Sequence, residues 1–229
     1  MAAALRRHVL ASYVHLDATP IDCCDRTRPG KAQTTHVWTY RARSPDPAVD
    51  GLVWYDFQLT KTPKEPARLL ATYYGVVQTD GASGLDTLGP PERITHLGCW
   101  AHARRYLVNA VESGDTRAIV YREQVDRLFR YDARARAILA AVPAASRAGL
   151  ADRLATWRAR FSRPLADAVF ARAATDVVRL PPKSALAVAL GYVLGQRPSL
   201  MRCVTTAGAA LDNNRAENAI RPLTLGARN

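Results

Sequence analysis

The sequence predicts an α/β protein: an open mixed sheet formed by the first hundred residues, then a long helical segment. Three observations carry this expectation. Up to about residue 60 the chain alternates in the manner of strands, broken by Pro- and Asp-bearing turns. A short helical stretch then links those strands to a further apolar strand, as a crossover does. From residue 101 to about 176 the pattern is helical, with breaks at Gly114 and Pro143.

Taken in order, Ser12 to Thr19 reads as the first strand, stopped by Pro20, with Asp17 late in it. A basic turn from Arg26 to Lys31 leads to a strand over Thr35 to Arg41, and Ser44-Pro45-Asp46-Pro47 separates that from Gly51 to Leu59. Pro63 to Tyr74 is a helix, because Pro63 suits a first turn and Leu69, Leu70 and Tyr73 form its apolar stripe. Gly75 to Asp80 is a short strand with an acid at its carboxyl end, released by Gly81. A fifth strand over Arg93 to Trp100 runs into a helix beginning at Ala101. A later helix runs from Ser184 through Leu194, and Pro198 marks the next break. The early aromatics Trp38, Tyr40, Trp54, Tyr55 and Phe57 read as core packing. The expected division is 1–100 for the first part of the sheet core, 101–200 for the helical segment and insertion, and 201–229 for a late core helix.

Net charge is +12 with a pI near 10.1, which favours a polyanionic partner, nucleic acid over membrane. The charge is uneven. Residues 1–100 hold 11 basic and 10 acidic side chains, residues 101–176 hold 14 and 8, and residues 177–229 hold 7 and 2, so the basic surface belongs to the later two. No run approaches the roughly 18 apolar residues of a membrane span, and no secretory leader is visible. The four cysteines, Cys23, Cys24, Cys99 and Cys203, form no C-x-x-C pair, which fits a reducing cytoplasm. Cys99 and His102 have the spacing of two zinc ligands, but no second pair completes a site.

After Asp176 the only carboxylates are Asp212 and Glu217, in the stretch Leu211-Asp212-Asn213-Asn214-Arg215-Ala216-Glu217-Asn218-Ala219-Ile220-Arg221-Pro222. As a helix capped by Asp212 or Asn213, this segment puts Asn213, Glu217 and Arg221 on one face. Glu217 there is either a salt-bridge partner of Arg221 or a ligand for a cation. Asp17 and Asp80 can meet at the carboxyl ends of adjacent strands, where ligands of open sheets gather. Three carboxylates make a hard-oxygen set suited to Mg²⁺ or Mn²⁺.

Four phrases occur in order: Val77-Gln78-Thr79-Asp80-Gly81, Cys99-Trp100-Ala101-His102-Ala103-Arg104-Arg105, Pro182-Lys183-Ser184-Ala185-Leu186-Ala187, and Asp212 to Glu217 followed by Arg221-Pro222-Leu223. Together they resemble transposases of the bacterial insertion sequence 66 family across nearly the whole chain. The resemblance implies an RNase H-like mixed sheet flanked by helices, with a large helical insertion before the last catalytic acid. It implies the triad Asp17, Asp80 and Glu217 as catalytic residues and metal ligands, holding two Mg²⁺ or Mn²⁺ ions that cleave DNA at element ends and join the freed 3′-hydroxyl to target DNA. His102, Arg104 and Arg105 are candidates for phosphate contacts, and Asn213, Asn214 and Arg221 for support of Glu217. The implied partners are element ends and target DNA, a second copy of the chain, and accessory proteins of the element, in a nucleoid-associated, cytoplasmic bacterial protein.

The first motif departs from the family. Asp17-Ala18-Thr19 stands where Asp-Glu-Thr is usual, and Asp22 and Asp25 compete for the role; Asp17 is preferred because it lies inside the strand pattern. Family members of full size also extend beyond both ends of this chain. Two rival readings follow: a DNA-binding remnant without catalysis, and another RNase H-like nuclease.

Overall fold

The computed structural model describes residues 2–24, 32–81, 85, 88–143 and 149–226, with side chains in the last helix described as far as Leu223. The expected basic turn over Arg26 to Lys31 and the competing Asp25 lie outside the described residues. The chain forms two compact units, residues 1–97 with 213–229, and residues 98–212.

The first unit is α/β, a mixed five-stranded sheet with helices packed on it. Helix α1 (Ala2–Leu10) precedes strands β1 (Tyr13–Cys24), β2 (Ala32–Arg43) and β3 (Val53–Gln58); helix α2 (Lys64–Leu69), strands β4 (Gly75–Gln78) and β5 (Ile94–Leu97) follow. The sheet order is β3-β2-β1-β4-β5, with β1–β2 and β2–β3 antiparallel and β1–β4 and β4–β5 parallel. The meander and the crossover are therefore present as expected.

Boundaries differ for physical reasons. β1 runs through Pro20, where the sequence predicts its end. Pro20 lies opposite His36 on β2, beyond Val14 and His15, the residues paired to β4, so the missing N–H falls on the open side of the strand. Alternation along β1 sends Val14 and Leu16 into a core with Val9, Trp38, Tyr40, Leu69, Leu70 and Val77. Tyr13, His15 and Asp17 point the other way. Two of the aromatics assigned to the core are outside it: Tyr55 and Phe57 are 39% and 51% exposed. They alternate with Trp54 and Asp56 on β3, an edge strand.

The second unit is helical among its described residues: α3 (Trp100–Glu112), α4 (Ala118–Ala140), α5 (Leu150–Val177), α6 (Ala185–Gly195) and α7 (Arg197–Thr205). The expected break falls between α6 and α7, and Pro198 sits in the first turn of α7. Trp100 is wholly buried, donating its indole N–H to the Leu200 carbonyl at 3.0 Å and packing on Phe170. Arg158 is also buried, and its guanidinium donates to Asp132 Oδ1 at 2.8 and 2.6 Å and to the Cys203 carbonyl at 2.9 Å. Helix α8 (Asn214–Gly226) returns to the first unit, where it packs on β1 and β2.

Candidate active site

The first unit assembles its site at the end of the two central parallel strands. β1 and β4 pair with His15 beside Gln78, and extending that register by two residues sets Asp17 beside Asp80. β4 stops just before the acid. Thr79 holds the turn: its amide donates to the Leu97 carbonyl at 3.1 Å, and its hydroxyl lies 2.8 Å from His96 Nε2. The Gly81 amide donates back to the same hydroxyl at 3.2 Å, and Gly81 takes φ +79°, a conformation costly for a residue with a Cβ.

Glu217 arrives on α8, whose start is fixed to β1 by Asn213. The Asn213 amide nitrogen donates to the Leu16 carbonyl at 2.9 Å, and its Oδ1 faces His15 Nδ1 at 3.0 Å. Because Oδ1 can only accept, the proton sits on His15 Nδ1, leaving Nε2 buried with no hydrogen-bond partner among the described residues. Burial pushes the imidazole down to about 3, with Arg43, Arg215 and Arg41 acting in the same direction against the bond from Asn213. His15 is thus neutral at physiological pH. The Glu217 amide donates to the Asn213 carbonyl at 3.4 Å, so the acid sits one turn along the helix from its anchor.

Asp17 feels the other two acids. Burial first, then the negative charge of Asp80, and further that of Glu217, push the Asp17 carboxyl up to about 7. Its Oδ1 accepts from the Ala18 amide at 2.8 Å, and this bond and the charge of Lys61 oppose the rise. Asp22 is engaged elsewhere, accepting from Thr34 Oγ1 at 2.7 Å far along the β1–β2 pair. Among the described residues, no group of three or more His, Cys, Asp or Glu side chains is arranged to hold a metal ion. Carboxylate oxygens are the donor type that hard divalent cations take, but in their present positions these three acids form no closed cage.

The remaining candidates are divided between the units. Asn213, Asn214 and Arg221 belong to the first; Asn213 is buried, whereas Asn214 and Arg221 are exposed. His102, Arg104 and Arg105 belong to α3 in the second. Arg104 is paired with Asp126 at 2.5 Å, Arg105 lies 3.1 Å from His102 Nε2, and His102 Nδ1 lies 3.3 Å from Cys99 Sγ. In the Pro182-Lys183-Ser184 phrase, Lys183 takes φ +65°, and the Ser184 hydroxyl caps α6 by accepting from the Ala187 amide. Sequence reasoning missed His15. Its signal was present, since it stands two residues before Asp17 and so on the same face of the strand.

Comparison with known proteins gives the lineage of this basic α/β chain. The transposase IS66 family matches residues 1–229, and the chain belongs to that family. It is 30% identical over 216 residues to the uncharacterized protein y4qI of Sinorhizobium fredii, a match covering 88% of this chain and 38% of that protein. The chain thus spans well under half the length of this relative. No solved structure matches it. None of the described helices is long and apolar enough to cross a membrane.

Proposed function

We propose that this chain is the catalytic core of a DDE-type transposase, with an RNase H-like sheet interrupted by the helical unit before its last acid. The sheet order, with only β2 running against the others, supports the fold. The observation that carries the activity is the electrostatic coupling of Asp17 to both Asp80 and Glu217 at the end of the central strands. Asp17, Asp80 and Glu217 would hold the Mg²⁺ or Mn²⁺ ions. When bound, such ions activate the attacking oxygen and stabilise the leaving one in phosphodiester displacement.

The protein's own residues have distinct tasks. Asp17 holds its proton up to about pH 7 chiefly because it is buried and next because of the charges of Asp80 and Glu217, and a bound cation would favour its ionised form. Asn213 and neutral His15 hold the start of α8 against β1, which fixes where Glu217 can reach. DNA is the substrate and target, drawn in by the basic surface through its phosphates. A Mn²⁺-dependent nicking assay on supercoiled DNA tests the reading. The wild-type chain nicks, and Asp80→Asn and Glu217→Gln do not. A chain that binds DNA but never nicks it, with any divalent metal, is the non-catalytic remnant instead.

A further inference from the structure

The helical unit carries a surface that the acidic site does not use. On α4, Arg127, Tyr131 and Arg134 are spaced four and three residues apart and share a face; on α5, Arg153, Trp157 and Phe161 do the same at intervals of four. The two helices pack on each other, and the aromatics meet there. Phe161 lies 4.6 Å from Trp157 and 6.0 Å, edge-on, from Tyr131 between ring centroids. The cluster is not sealed: Phe161 is 36% exposed, whereas Phe170, about two and a half turns on, is fully buried. The Arg160 guanidinium lies over the Phe161 ring, 5.5 Å from its centroid, where a stacking base would displace it, and Arg127 donates to the Tyr131 hydroxyl at 3.5 Å.

The charges around it are uncompensated. Arg136, Arg158 and Arg172 on the same helices each reach a carboxylate, but Arg127, Arg134, Arg153 and Arg160 have none among the described residues. A partly exposed aromatic cluster with guanidinium groups that no carboxylate neutralises matches the chemistry of unpaired nucleotides, whose bases stack while their phosphates meet arginine. A closed duplex offers phosphates but hides its base faces.

We propose that this patch binds single-stranded DNA, with a base stacked on Phe161 and flanking phosphates on Arg127 and Arg160. The choice of DNA rests on the transposase reading above; the stacking geometry does not. The test is fluorescence anisotropy of the full chain with labelled oligo-dT of about 20 nucleotides, and with a duplex of equal length. Phe161→Leu is expected to weaken oligo-dT binding at least fivefold, on the order of one lost stacking contact, and to change duplex binding by less than about twofold. Arg127→Gln with Arg160→Gln should lower the salt dependence of oligo-dT binding by about one phosphate contact or more. Phe161→Tyr, which keeps the ring, should retain oligo-dT binding and serves if the leucine variant does not fold. Unchanged oligo-dT affinity in folded Phe161→Leu overturns the proposal, as does equal weakening on duplex, or self-association of the chain lost in that variant without effect on oligo-dT. Asp80→Asn should keep oligo-dT binding while losing nicking, so failure at the patch and failure at the acidic site are read separately.

Discussion

Asp17 is half-buried beside two other acids, and its carboxyl keeps a proton up to about pH 7 against an ordinary value of 3.8. Between those values the folded chain holds a proton that the unfolded chain has released. Stability therefore falls as pH rises through that window and is lowest above it. In a chelator, Asp17→Asn should leave stability near pH 3.5 unchanged and raise it at pH 8 by up to about 4 kcal/mol, measured by urea unfolding. An equal effect at both pH values would contradict the assignment. Adding Mg²⁺ at pH 8 should raise the midpoint of the wild type more than that of the variant. A second residue-scale prediction concerns Asp132, which Arg158 and Arg136 both reach. Asp132→Ala strands the wholly buried Arg158 and should cost the helical unit about 3–5 kcal/mol, with Arg136→Ala costing far less because that side chain is partly exposed.

At the scale of elements, the decisive contact is between α8 and β1. Asn213 spans it with one bond to a backbone carbonyl and one to a buried imidazole. Asn213→Ala removes both and leaves the Leu16 carbonyl and His15 Nδ1 without that partner, a cost of about 1–3 kcal/mol. Hydrogen exchange should then quicken in residues 214–223 while β2 and β3 keep their protection; uniform acceleration across the unit would mean that Asn213 only adds global stability. Much of this architecture was legible in the sequence. Period-two alternation marked the meander, Pro63 and Gly81 marked the crossover and the turn after Asp80, and helical spacing marked α3 to α6. The parts that were not legible depend on neighbours. Pro20 was read as a stop because its tolerance depends on the side of β1 that β4 leaves open. Tyr55 and Phe57 were read as core because a sequence does not state that β3 is an edge. His15 was passed over because an isolated histidine gains meaning only from Asn213, 198 positions away.

Across the whole molecule, the sequence separates charge from chemistry: the near-neutral first hundred residues hold Asp17 and Asp80, while the excess of arginine begins after residue 100. If that excess grips phosphates, duplex affinity should fall linearly on a log–log plot against salt, with a slope near −0.9 for each phosphate contacted. A flat plot would show that the arginines serve only as solvated helix surface. The central claim is that Asp17, Asp80 and Glu217 converge on a divalent cation, although they form no closed cage as they stand. Electron paramagnetic resonance of Mn²⁺ titrated into the full chain at pH 8 tests it directly. Saturable binding is expected of the wild type, and none, over the same range, of folded Asp80→Asn or Glu217→Gln. Wild-type affinity in either variant, or no binding by the wild type, would contradict it.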